Sequence, residues 1–176
     1  MGQLLALGEF ASIPVSLSGF FSVFFISGSI LVLNDYFDVE TDKINAPDRP
    51  IPANLVTKRE ALFLAITMVV AGIVLSYLLG ILTFLSAITL LIIGFLYNRR
   101  FKKSGLLGNL MVSFSVGMTF IYGAISIELP FNKVAWVFAL IAALVDLGEE
   151  IAADAMDIQG DKLIDSNSIA IVYGKK

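Results

Sequence analysis

Hydrophobic residues in this chain gather in long uncharged runs, without the period-two alternation of half-buried strands or the narrow apolar stripe of a soluble amphipathic helix. Phe10 to Leu33 is one run, with Pro14 near its start. Ala61 to Tyr97 is a second, 37 residues without a charge, and Leu106 to Ile127 is a third. Lys133 to about Ala153 begins apolar and turns acidic from Asp146. Because about 20 apolar residues cross a bilayer core, the second run is too long for one crossing and is expected to divide near Gly80 into two short spans joined by a tight turn. Lipid offers no partner to free backbone groups and the alternation of barrel strands is missing, so the spans are predicted to be helices. The opening MGQLLALG is too short to span and lacks the basic start of a signal peptide; it reads as the tail of a crossing that begins earlier. The pattern predicts an all-α, polytopic membrane helical bundle of five full spans plus that tail.

Composition supports this class and narrows the chemistry. The 176 residues are 57% hydrophobic and 15% charged, with a mean hydropathy of +0.87, too apolar for a soluble domain of this size. A net charge of −3 leaves no basic excess to grip phosphate backbones, so nucleic acid is not an expected partner. Cysteine and histidine are absent, which removes disulfides, thiolate nucleophiles, imidazole bases and the usual zinc ligands together. Any chemistry must run on carboxylates, amides, hydroxyls, Lys and Arg.

The cations mark the orientation. Lys43, Arg49, Lys58 and Arg59 follow the first span; Arg99, Arg100, Lys102 and Lys103 follow Tyr97; Lys162, Lys175 and Lys176 lie in the tail. The turn near Gly80 has none and the connection from Glu128 to Lys133 has one. Rich and poor connections alternate as five spans require, so the positive-inside rule makes the rich ones cytoplasmic. The segments LVLNDYFDVETDKINAPDRPIPAN and DLGEEIAADAMDIQGDKLID, where the acids gather, then face the same side as YNRRFKK and are placed to converge on one site.

Within each acidic segment the spacing is helical. Asn34, Asp38 and Asp42 recur every fourth residue with Asp35 close to the same face, and Asp146, Glu150, Asp154, Asp157 and Asp161 follow steps of four, four, three and four. Like charges so spaced repel, so each ridge calls for a cation. Carboxylates and an amide are hard oxygen ligands suited to Mg²⁺, which takes one or two carboxylates and completes its shell with water and substrate phosphates. Either ridge alone would also suit a solvated helix end. An EF-hand loop fits poorly, since DVETDKINAPDR lacks its central glycine and terminal Glu. A cation transporter or channel is the rival from another class, but permeation needs acids through the membrane depth and the spans from Ala61 to Tyr97 offer none. YNRRFKK suits an ordinary topogenic loop as well as a phosphate-binding one. Gly108, Ser113, Ser115, Gly117 and Gly123 suit close helix packing more than a ligand box.

NDYFDVETD (Asn34 to Asp42) followed by DRPIPAN resembles the first signature of the UbiA superfamily of intramembrane prenyltransferases, Asn-Asp-x-x-Asp-x-x-x-Asp with a downstream Arg-Pro. Asp157 and Asp161 in DAMDIQGD resemble its second, Asp-x-x-x-Asp, with two spans, the basic loop and a third span between the two motifs. INAPDRPIPANLVTKREAL, KKSGLLGN and GEEIAADAMD are most similar to the archaeal branch of geranylgeranylglycerol-phosphate geranylgeranyltransferases. The resemblance covers essentially residues 1–176 as one transmembrane prenyltransferase domain. It implies nine helices in a whole member, so the start of the first helix and the last three are expected to lie outside this chain. The family's Tyr-x-x-x-Lys pattern is departed from: Phe101 stands fourth after Tyr97, leaving Lys102, Lys103 and Arg100 as alternatives for the cation.

The resemblance implies a Mg²⁺-dependent enzyme that moves a geranylgeranyl group from geranylgeranyl diphosphate to the hydroxyl of geranylgeranylglyceryl phosphate, forming an ether in archaeal membrane lipid synthesis. An aromatic acceptor, as in quinone or chlorophyll synthesis, is the alternative. Asn34, Asp38, Asp42, Asp157 and Asp161 would hold the metal, Arg49, Tyr97, Lys102 or Lys103 would bind the diphosphate, and Asp35 or Asp154 would act as base. Partners are the prenyl diphosphate, a lipid-like acceptor and membrane lipids, with the motifs at the cytoplasmic face.

Overall fold

A computed structural model describes residues 1–156, 158, 162 and 167–174, and these fold into helices and connecting turns. Helix α1 (Gly2–Leu7) is one short turn pair, α2 runs Ile13–Asn45, α3 Lys58–Leu78, α4 Ile81–Leu96, α5 Leu106–Ile125 and α6 Lys133–Met156. A π-helical turn (Tyr97–Phe101) and a 3₁₀ turn (Lys102–Ser104) join α4 to α5, and a short helix, Ile169–Tyr173, follows α6. The long uncharged run divides where expected: Gly80, at φ 123°, makes the turn between α3 and α4, a backbone position that L side chains rarely adopt.

Four helical segments are long and apolar enough to cross a membrane: Ile13–Asn45, Lys58–Leu78, Ile81–Ser104 and Leu106–Ile125. The fifth expected span is a helix but does not join them, because Asp146, Glu149, Glu150 and Asp154 occupy the second half of α6 and dilute its apolar stretch. Large side chains such as Phe24, Val70, Leu85, Ile92 and Phe114 are exposed on the outside, where lipid would meet them. The buried positions are instead small or polar, including Ser22, Ser29, Ala65, Ser76 and Ala87. Without a hydrophobic drive between helices in lipid, close backbone approach becomes the main source of packing energy. Ile26 of α2 lies against Gly72 of α3, Ile30 of α2 against Gly94 of α4, and Gly117 of α5 against Ala139 of α6, so the sequence's small residues mark helix crossings.

The main pairings are α2 with α3 and α5 with α6, and a row of cavities lies between α2 and α5. Tyr122 of α5 bridges to both α2 and α3. Its hydroxyl hydrogen-bonds to Ser22 of α2 and, at 2.8 Å, to Ser76 of α3, while the Ser76 hydroxyl also donates to the Gly72 carbonyl at 2.6 Å. Gln3 ties α1 to the same assembly through the Val15 carbonyl and the Ser126 hydroxyl at 3.2 and 2.9 Å.

Tyr122→Phe keeps the ring and removes the hydroxyl that joins three helices. It is expected to lower the unfolding free energy of the full-length protein by about 1 kcal/mol, in the range of interhelical hydrogen bonds in membrane proteins, measured by detergent-titrated unfolding. An unchanged unfolding curve would mean that the bridge holds nothing together.

Candidate active site

The acidic ridge of the first segment is built on α2, which continues as one helix from its apolar part through Asn45. Beyond it the chain doubles back. Ile51 buries itself with Val39 and Ala61, Asn54 takes the left-handed conformation (φ 59°) that Asn tolerates, and a capping box between Thr57 and Glu60 starts α3. This return brings Arg49 over the ridge. Its guanidinium donates to Asp35 at 3.1 Å and to both oxygens of Asp42 at 3.1 and 3.0 Å. Burial opposes the Arg49 charge, but Asp42, Asp35 and Asp38 outweigh it and hold its pKa above the ordinary value.

Lys102 reaches the same ridge from the other side. Unwinding into a π turn and then tightening into a 3₁₀ turn re-aims the side chains after α4, a distortion frequent at functional sites. The Lys102 ammonium donates to Asp38. The tight turn ends at Gly105 (φ 63°), where a side chain would strike the Asn167 carbonyl, and the Asn167 amide donates to the Lys103 carbonyl at 3.0 Å. The three carboxylates of the first ridge, which called for a cation, are therefore already offset in large part by Arg49 and Lys102.

Two asparagines orient the polar groups. The Asn98 amide donates to the Ile30 carbonyl at 3.0 Å, which turns its own oxygen toward the Asn34 amide, also at 3.0 Å. Asn34 uses its nitrogen there and keeps its side-chain oxygen for another partner. On the opposite wall the Asn109 amide donates to Asp154 at 3.0 Å. Sequence reasoning passed over both. The signal available was a lone amide at the end of an uncharged run, in YNRRF and in GLLGNL.

These groups meet in a cavity of about 270 Å³ between α2, α4, α5 and α6. Asn34, Tyr97, Asn98, Lys102, Glu150 and Asp154 supply its polar lining; Ile30, Ile93, Met111 and Val112 supply apolar wall. Material from both acidic segments and the basic turn thus converges on one space. Ile30 and Ser115 also wall a small cavity of about 40 Å³, which shares Val23, Thr119 and Tyr122 with a space of about 420 Å³ toward the far end of the bundle. Asp38 and Lys103 face instead a second, outer cavity of about 210 Å³. Asp35 and Asp42 turn to Arg49 and line neither. Of the cations left open by the sequence, Lys102 is the one that lines both cavities and meets the acids. Among the described residues no three acidic side chains stand together as a metal group. The donors present are hard oxygens, and Asp157 and Asp161 lie outside the described residues.

Comparison with known proteins gives a consistent picture. A family model described as "UbiA prenyltransferase family" matches residues 1–176. The digeranylgeranylglyceryl phosphate synthase of Thermococcus sibiricus is 38% identical over 176 residues, covering 99% of this chain and 62% of the relative. A solved structure described as digeranylgeranylglyceryl phosphate synthase in membranes superimposes with a TM-score of 0.79 at 32% identity, over 99% of this chain and 62% of that one. The apo structure of a UbiA homologue from Aeropyrum pernix matches in fold with a TM-score of 0.84 at 20% identity, over 98% and 66%. The chain spans about 62% of the length of the curated relative it matches.

The ion pairs set a stability outcome opposite to that of a repelling ridge. Asp38 and Asp42 are nearly buried and each faces a cation, so Asp38→Ala strands Lys102, while Asp42→Ala leaves Arg49 with Asp35 alone. Asp38→Ala is expected to destabilise the full-length protein by about 1–3 kcal/mol, the cost of leaving a charged partner unsatisfied, and Asp42→Ala by less, both seen as a lower melting temperature in chelator. Melting at or above the parent's temperature would mean that repulsion dominates after all.

Proposed function

The chain belongs to the UbiA prenyltransferase family, and on that premise we propose that the protein it forms part of transfers a geranylgeranyl group from geranylgeranyl diphosphate to the free hydroxyl of geranylgeranylglyceryl phosphate, at the cytoplasmic face of the membrane. The observation that carries the reading is the cavity in which two amides, two carboxylates and Lys102 face apolar walls, with further apolar cavities deeper in the bundle. A substrate with a polyanionic head and a long hydrocarbon tail has that same division. The names of the relatives supply the acceptor.

The chemistry asks for charge stabilisation. As the allylic C–O bond breaks, negative charge grows on the diphosphate and positive charge on the allylic carbon, and preorganised donors lower the barrier most where charge develops. Lys102 donates to the departing oxygens with Tyr97 on the same cavity wall, and Arg49 adds its charge from across the acidic ridge. The donor set, carboxylates and an amide with no histidine or cysteine, suits Mg²⁺. Asn34, Asp157 and Asp161 would hold it together with Asp38 and Asp42 once these exchange Lys102 and Arg49 for the metal, and when bound it would neutralise the leaving diphosphate. The acceptor oxygen forms its bond to the allylic carbon as the diphosphate leaves, and its proton passes to a carboxylate. Asp154, fixed by Asn109 and facing the cavity, is better placed for this than Asp35, which is engaged by Arg49. The apolar walls exclude water from the cation.

Full-length protein incubated with Mg²⁺, labelled geranylgeranyl diphosphate and geranylgeranylglyceryl phosphate is expected to yield the diether, and a labelled prenylated aromatic with no diether would replace the acceptor assignment. Proteoliposomes that pass Mg²⁺ and release no diphosphate would replace the reaction itself. Asp38→Ala and Asp157→Ala should each abolish turnover, and the double variant should be scarcely worse, because groups acting as one unit are not additive. Asp165→Ala should change turnover little.

A further inference from the structure

The outer cavity touches the reaction as described through Asp38 and Lys102, but Arg99 and Arg100 in its lining have no part in it. It lies across Lys102 from the inner one, shares Lys102 and Asn98 with it, and is otherwise lined by Phe37, Asp38, Arg99, Arg100 and Lys103. Four cations surround it against one carboxylate, and that carboxylate is taken by Lys102. Arg99, Arg100 and Lys103 form no ion pair among the described residues, although the Arg100 guanidinium lies 5.8 Å from the Phe101 ring centre. A loop that served only to set orientation would need its charge on one side of the membrane, not gathered around one cavity by two irregular turns.

We propose that this outer cavity is an anion site for the phosphate monoester of the acceptor, separate from the site of the donor's diphosphate. The inference rests on the reaction proposed above and assigns the second of its two anionic substrates. The inner cavity mixes carboxylates with a single ammonium, so it takes a polyanion only together with a metal. The outer cavity carries surplus positive charge, and a phosphate monoester of about −1.5 to −2 at neutral pH meets it without one. Two phosphate groups crowded into one cavity would repel, whereas the Lys102 wall keeps them apart and adjacent. In a glyceryl ether phosphate the free hydroxyl is only a carbon or two from the phosphate. Anchoring that phosphate outside Lys102 therefore presents the hydroxyl to the inner cavity. Arg99 and Arg100 act in this account as binding residues for the acceptor, with Lys103 beside them rather than on the diphosphate.

Binding is measured with full-length protein in neutral-lipid nanodiscs, in chelator and without prenyl diphosphate, using labelled geranylgeranylglyceryl phosphate and its phosphate-free alcohol. The parent is expected to bind the phosphate form well above the alcohol. An Arg99→Gln, Arg100→Gln double variant should lose about ten- to a hundred-fold for the phosphate form, as expected when charge-assisted hydrogen bonds go, and nothing for the alcohol. Arg59→Gln, an exposed cation away from the cavity, should match the parent. The single variants Arg99→Gln and Arg100→Gln, each expected to show part of the loss, serve if the double variant melts early. Equal binding by parent and variants, an equal loss in Arg59→Gln, or a requirement for Mg²⁺ would overturn the assignment. So would displacement of the acceptor by nanodiscs of anionic phospholipid, which would make the cavity a general headgroup site. A parent that binds in this way but forms no ether keeps the anion site and removes the reaction; ether formation with unchanged acceptor binding in the double variant does the reverse.

Discussion

A polar group inside lipid must find its partner within the protein, and that constraint organises every level of this structure. It makes the spans helical, since only a helix satisfies its backbone by itself. It leaves the interior to serines, glycines and alanines, because oily side chains gain nothing by leaving oily surroundings. It also explains why most of the polar side chains that lie deep are joined to one another or to their own helix, the Thr83 hydroxyl being an exception. Ser29 and Ser113 bond back to carbonyls of their own helices, and Tyr122 spends its hydroxyl on two serines from two other helices.

The same constraint drives the charges to one end and makes them meet there. Asp38 and Asp42 are nearly as buried as the core, which is tolerable because each faces a cation brought in from a different part of the chain. Arg49 arrives by a loop that folds back under Ile51; Lys102 arrives by a helix that loses its regular winding. A cavity walled by such groups is preorganised: the donors are held by packing and by Asn98 and Asn109 before any ligand enters. Lys102 has the pivotal place, since it closes the acidic ridge and forms the shared wall between two cavities of different charge.

The length and apolarity of the runs determined the four membrane-crossing helices and the break at Gly80, because the hydrocarbon thickness is a property of the bilayer and needs no tertiary information. The four-residue spacing of Asn34, Asp38 and Asp42 likewise determined that they share one face of a continuous helix. The small residues of α5 were legible as packing positions for the same reason, and Gly117 and Gly123 do lie at helix crossings. The acidic half of α6 shows the limit of this reading, since a count of apolar residues did not register how far Asp146, Glu149 and Glu150 reduce its fitness to span.

Partnership was not legible. Which cation answers which acid depends on where a loop folds back and how far a helix unwinds, and neither leaves a periodic mark in the sequence. Spacing alone put Asn34, Asp38 and Asp42 on one ridge, while the fold sends Asn34 to the inner cavity, Asp38 to Lys102 and Asp42 to Arg49. That Lys102, rather than Lys103 or Arg100, meets Asp38 depends on the winding after α4, and the orienting contacts of Asn98 and Asn109 span 64 and 45 residues in sequence. Local sequence determines what a helix is and which face is polar, because those follow from a fixed period and a fixed solvent. Only the tertiary structure decides what that face meets, because the energy of a charge in a low-dielectric interior is set by its neighbours in space.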